Sequence, residues 1–319
     1  MDPTDSPDSD GPEEVEGAEH TWVISIEDDD AEELDFNQAR INKLQNLEVL
    51  SQIQSLGFRQ NLIKKIEGLS TLTTLVELSL YDNQITQIEG LETLLNLETL
   101  DLSFNRLRKI ENIEHLVKLR KLYLADNKIS KIENFASLTQ ITCLELGSNR
   151  IRVIENLETL VNLEELYLGK NKISRLEGLE ALSKLTLLSI QSNRLLKLEN
   201  LESLPLDQLY ASHNGLECIE NLSKQVAMTT LDLAGNRISS LDGLNELTSL
   251  EELWMNDNRV ADWQEVDKLA SLKSLHTVYL ERNPIWTSPD EPHRGNPHYR
   301  RKMMLALPQL KQLDATATR

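Results

Sequence analysis

Six histidines, two cysteines and 52 carboxylates give this 319-residue chain the raw material for catalysis, so spacing has to decide what they do. His293 and His298 stand five apart in "IWTSPDEPHRGNPH" (285–298) and invite a metal reading. No convergent carboxylate or cysteine pair accompanies them, so an ordinary surface loop is the better reading. Glu251 and Glu252 are adjacent, and on a strand neighbours point to opposite sides, which rules them out as an acid–base pair. Cys143 and Cys218 lie 75 residues apart and match neither a disulfide framework nor a zinc spacing, so both read as reduced packing or surface residues. Nucleophile elbow, glycine-rich phosphate loop and H-E-x-x-H are all missing from the sequence. The chain reads as a non-enzyme with no cofactor and no metal.

Recognition chemistry, by contrast, is tightly spaced. In "EELYLGKN" (164–171) Tyr167 sits between Leu166 and Leu168, four residues before an asparagine, and the arrangement recurs. Asparagines stand at 61, 83, 105, 127, 149, 171 and 193 with a step of 22, then at 214, 236, 258 and 283. Four residues before each stands Gly57, Ser79, Asp101, Tyr123, Glu145, Tyr167, Ser189, Tyr210, Asp232, Trp254 or Tyr279. Five of the ten Tyr and Trp in the chain fall in this column of eleven, where chance would put well under one; the other members are acidic or small, and none is basic. β-propensity explains aromatic residues in strands but not their confinement to one column. Rings flanked by carboxylates make a protein-binding surface, in which the rings anchor and the charges select a basic partner. Glu77, Glu165 and Glu252, six before their asparagines, add charge to the same face.

The elements that must carry this column follow from the surrounding pattern, L-x-x-L-x-L-x-x-N-x-I-x-x-I-E-x-L-x-x-L, seen in "LVNLEELYLGKNKISRLEGLEAL" (160–182). This is a leucine-rich repeat. The L-x-L segment alternates with period 2, so its leucines enter the core while the residues between them face out from a short strand. Later Ile and Leu positions spaced by three suit a 3₁₀ or single-turn helical return. Each Asn ends a strand, where its amide can satisfy backbone groups otherwise buried unpaired. With Ala39 holding the matching place one step earlier, twelve stations are marked, and the expected fold is an α/β solenoid of about 12 units with a curved parallel sheet on its concave face. Small residues two places further along the middle strands, Ser103, Ala125, Gly147 and Gly169, leave the rings open. The 21-residue step near Pro205 and the final 25-residue step fall on the return side and should leave the strand stack intact.

The organisation expected is an acidic disordered tail (1–21), a cap and lead-in (22–40), repeats (41–284) and a closing loop, helix and strand (285–319). The formal charge is −19, but residues 1–33 hold 14 acidic residues and no Lys or Arg, leaving 38 acidic against 33 basic in the rest. That balance argues against a nucleic-acid partner. No stretch approaches the roughly 18 apolar residues of a membrane span, and the first residues lack a targeting pattern, so a soluble protein of cytosol or nucleus is expected. Ile41, Leu44, Leu47 and Leu50 already follow the repeat register. "WVISIEDDD" (22–30) reads first as a cap over the first repeat in cis and, alternatively, as a strand that pairs with the edge of a ubiquitin-like modifier.

The unit I-x-x-I-E-[NG]-L, with "LYDNQI", "LELGSNRIR", "LYLGKNKI", "WMNDN", "VYLERNP" and the closing "YRRKMMLALPQLKQLDAT", resembles the leucine-rich-repeat regulatory subunit 7 family of protein phosphatase 1 over roughly residues 34–316. The resemblance implies a regulatory subunit of nucleus and cytoplasm that grips the phosphatase catalytic subunit with its concave face and controls its activity, maturation or localisation, including in mitosis. It also implies a monomer before binding and a further inhibitor subunit as a companion. Family contact positions carry over to Asp101, Tyr123, Glu145, Tyr167, Asp232, Glu252, Trp254 and Tyr279; Tyr210 joins them from the column. Tyr123 and Tyr167 replace phenylalanines of familiar members. The shortened unit near Pro205 and the enlarged 285–298 loop depart from the family, and the short basic–Val/Ile–x–Phe/Trp docking motif is missing. The other reading is a structural scaffold of the spliceosomal, axonemal or histone-binding repeat classes.

Overall fold

A computed structural model describes residues 24–288 and 295–318; the expected acidic tail (1–21) and His293 lie outside the described residues. The chain rises as a solenoid around one continuous 14-stranded sheet whose spatial order is the order of the sequence. β1 (Glu33–Asp35) begins it, and eleven further three-residue strands follow, from β2 (Ser55–Gly57) to β12 (Thr277–Tyr279), all paired parallel to their neighbours. The sheet thus starts inside the lead-in, at the station marked by Ala39. Each strand puts one residue inward: Leu78, Leu100, Leu122, Leu144 and Leu166 are fully or almost fully buried, at 0 to 1% exposure. Burying one such side chain is worth about 2 kcal/mol, and the repeat makes the sum large.

The asparagines act as the sequence requires. Asn105 accepts from the Ile85 N–H (2.9 Å) and donates to the carbonyls of Leu80 (2.9 Å) and Leu102 (3.1 Å), so one amide ties its own turn to the turn before. Asn127, Asn149 and Asn171 repeat these bonds.

Most returns are narrower than a helix. They close by isolated i→i+3 bonds, such as Leu94 N–H to Leu91 and Leu97 N–H to Leu94. A regular helix forms where the 25-residue step supplies extra chain: α1 (Trp263–Lys268), capped by Asp262, runs into a 3₁₀ turn at Leu269–Ser271. The 21-residue step leaves β8 (Leu187–Ser189) and β9 (Gln208–Tyr210) in full register. The [NG] position of each unit is explained by backbone sign. Gly68, Gly90, Asn112, Asn134, Asn156, Gly178 and Asn200 all have φ between 57° and 70°, a conformation other residues adopt at a cost. Where Asn is used, its amide donates to the carbonyl of the preceding turn, as from Asn112 to Ile88 (2.7 Å).

Both ends are closed. Ile24 is buried in the core, and Asn46 donates to its carbonyl (3.5 Å), the relation that Asn112 has with Ile88. The Ile24 side of the 22–30 segment therefore packs in cis on the first repeat. At the far end α2 (Tyr299–Ala306) leads to β13 (Gln312–Leu313), which pairs parallel with β12, and β14 (Thr316–Ala317) turns back antiparallel. Asp314 stands in for the next strand by accepting from the Leu280 (2.9 Å) and Glu281 (3.0 Å) N–H groups.

Candidate functional site: the concave aromatic column

The strand register stacks the column continuously: Asp101 beside Tyr123, Tyr123 beside Glu145, Glu145 beside Tyr167, and on through Tyr210, Asp232 and Trp254 to Tyr279. All nine residues singled out from the sequence lie on this one face, with Glu252 at the start of β11 (Glu252–Trp254). Strand alternation forces this, because the residue on either side of an inward leucine must face the concavity.

Rings and carboxylates differ in how they use the face. Tyr123, Tyr167, Tyr210, Trp254 and Tyr279 are half-buried, whereas Asp101 and Asp232 are buried, at 9% and 6% exposure. The short carboxylates fold onto their own strand ends. Asp101 accepts from Ser103 N–H (3.0 Å), Asp232 from Ala234 N–H (3.0 Å) and Glu145 from Gly147 N–H (3.1 Å). A Cβ on Gly147 would sit 2.6 Å from the Glu145 carboxylate, so glycine there permits the fold-back as well as opening the rings. Burial holds the carboxyls of Glu145 and Asp232 above the ordinary carboxylate range, with those N–H groups opposing it. Asp101 also lies 3.7 Å from the guanidinium of Arg59, a basic residue that sequence counting did not place on this face.

Two aromatic groups result. At the C-terminal end Trp254 meets Tyr210 at 6.4 Å and Tyr279 at 5.8 Å between centroids, both edge-on, and its Nε1 is buried without an acceptor. In the middle, Tyr123 and Tyr167 flank Glu145, and the Tyr167 hydroxyl donates to Glu165 (2.8 Å). Cys143, which the sequence left as a packing or surface residue, is buried here against Tyr123 and Glu165, and burial pushes its thiol up to about 12. Its place six before Asn149 was the available signal. Burial likewise raises Tyr123 to about 12, followed by the neighbouring Cys143, so its hydroxyl stays a neutral donor. Among the described residues no cluster of three His, Cys, Asp or Glu is placed to hold a metal, and no helix is long and apolar enough to cross a membrane.

Family models agree with the architecture. Models described as leucine-rich repeats (2 copies) match residues 73–116, 95–137 and 226–268, and a leucine-rich-repeat model matches 122–204. The chain is similar to the protein phosphatase 1 regulatory subunit SDS22 of Schizosaccharomyces pombe, 48% identical over 72 residues, which cover 22% of this chain and 20% of that protein. It is similar to human protein phosphatase 1 regulatory subunit 7, 52% identical over 57 residues, covering 18% of this chain and 14% of that protein. The aligned segments thus span a fifth or less of those relatives' length. Among solved structures, an internalin of Listeria monocytogenes aligns with TM-score 0.68 and 23% identity over 90% of this chain and 87% of its own. A leucine-rich-repeat protein of Leptospira interrogans gives 0.71 and 22% over 83% and 73%. At such identity they speak for the fold alone. Repeat models that together run over more than half of the chain, and a sheet that gains one parallel strand per unit, make this chain a member of the leucine-rich-repeat family.

Proposed function

We propose that the chain is a non-catalytic regulatory subunit that binds the catalytic subunit of protein phosphatase 1 through its concave face. The observation that carries this reading is the column itself: half of all Tyr and Trp in the chain stacked along one concave line, with carboxylates between them. Half-buried rings held by strands lose little freedom when a partner covers them, which suits them as anchors. The names of the similar proteins supply the partner. Contact runs through Tyr123, Tyr167, Tyr210, Trp254 and Tyr279, with Glu252 at the rim. Asp101, Glu145 and Asp232 act chiefly by setting the negative potential and bracing the strand ends. In this reading the subunit is monomeric until it meets the phosphatase, works in nucleus and cytoplasm including at mitosis, and tolerates a further inhibitor subunit on the phosphatase.

The test is a titration of the phosphatase catalytic subunit against wild type and a Glu252→Ala/Trp254→Ala variant, with unfolding curves alongside. Lost binding at unchanged stability supports the concave column. Undiminished binding by the variant moves the contact elsewhere, and no binding by wild type removes this partner.

A further inference from the structure

A different surface carries an inference independent of the phosphatase. The residue after each ladder asparagine is basic in five consecutive units: Arg106, Lys128, Arg150, Lys172 and Arg194. Their backbone N–H groups make the same bond in each turn, 2.8 Å to the carbonyls of Ile85, Leu107, Ile129, Ile151 and Ile173, so the five side chains leave the solenoid in register along about 20 Å. All five are exposed or half-buried. Some acidic residues of the returns are engaged, although Glu111, Glu155 and Glu177 in the ridge's own turns make no ion pair among the described residues. Lys43 and Lys65 pair with Glu67, Lys131 with Glu133 and Arg175 with Glu199, every one joining the fourth residue after a station to the Glu of I-x-x-I-E. Among the described residues none of the five ridge cations makes an ion pair or a side-chain hydrogen bond.

Like charges stacked at strand spacing repel, and such a row calls for an anion. We infer that the ridge is the docking site of this chain's own first 23 residues. They carry eight carboxylates and no Lys or Arg. The described chain begins at Ile24, whose carbonyl meets Asn46 as that of Ile88 meets Asn112; Ile88 and its counterpart Ile110 come four residues after the ridge position of their own turns. The acidic segment therefore enters on the ridge's side of the solenoid. Extended, 23 residues reach about 75 Å, ample for the ridge. Tethering supplies an effective concentration in the millimolar range, enough for a row of weak contacts that salt should release.

A spin label on Ser9→Cys, in a full chain carrying Cys218→Ser, tests this by paramagnetic broadening of backbone amides. The expected result is broadening at 106–108, 128–131, 150–152 and 172–175 in about 20 mM salt that fades by about 0.5 M. It should also vanish when the five ridge cations become Gln. Should that variant not fold, the eight tail carboxylates are replaced by amides instead, which leaves the repeats untouched and should abolish the same broadening. No ridge broadening in low salt, or broadening that survives either charge removal, overturns the proposal. A poly-glutamate probe decides whether an acidic partner in trans owns the ridge. It should bind the tail-amide chain at least about fivefold more tightly than wild type, and equal binding to both assigns the ridge to an outside partner and overturns the proposal.

Discussion

The rings of Trp254 and Tyr279 meet edge to face, with centroids 5.8 Å apart and planes at 61°, and Tyr210 approaches the other side of the indole at 6.4 Å. Trp254 is thus fixed from both flanks while its Nε1 has no acceptor in the chain. Replacing Trp254 by Ala is expected to weaken phosphatase binding by about 2 kcal/mol or more, with a smaller effect on folding. Trp254→Phe keeps a ring and removes the N–H, so titrating both variants separates anchoring from hydrogen bonding. Unfolding of the Ala variant matching its loss of affinity would show the indole to be a core residue.

The asparagine ladder makes a sharper statement about stability. Asn127→Ala leaves the Leu107 N–H buried without a partner and takes one of two bonds from the Leu102 carbonyl, which Asn105 still serves. The expected cost is about 2 kcal/mol. Urea denaturation measures it, and a change under about 1 kcal/mol would mean that water replaces the amide.

The second ladder answers to backbone sign. At Asn156 (φ 59°), Gly is expected to lose only the bond to the Ile132 carbonyl, while Ala adds about 1–2 kcal/mol for the left-handed conformation. Thermal melts of the two variants should rank them in that order. An Ala variant as stable as the Gly variant would remove the conformational explanation.

Burial raises the Asp232 carboxyl, so the folded chain holds that proton at a pH where the unfolded chain has released it. Its contribution to stability is greatest below the unfolded value and is lost as pH rises through the folded one. Asp232→Asn should therefore raise the melting temperature near neutral pH and flatten the part of the profile that lies above the ordinary carboxylate range. A lower melting temperature at neutral pH would mean that the carboxylate is stabilised where it sits.

Ile24 closes the N-terminal end of the core. Ile24→Asp should speed hydrogen exchange at the amides of β1 and β2 while leaving the central repeats protected, as expected when each unit leans chiefly on its neighbours. Unchanged exchange at β1 and β2 in this variant would count against the cis cap.

The sequence by itself determined the register, the strands, the role of the asparagines and the face on which Tyr167 stands. A 22-residue period repeats one local geometry, and a strand offers side chains only two directions. Tertiary structure alone decided which residues on that face remain available. Asp101 and Asp232 sink beside larger rings, Trp254 is wedged between Tyr210 and Tyr279, Arg59 reaches Asp101, and Cys143 is covered by Tyr123 and Glu165. Tertiary structure also showed why Asn and Gly alternate in I-E-[NG]-L, and that the lead-in already holds a strand. The pattern gives each residue its direction. Its exposure depends on the sizes and bonds of neighbours about 22 residues away, which only the assembled stack brings into contact.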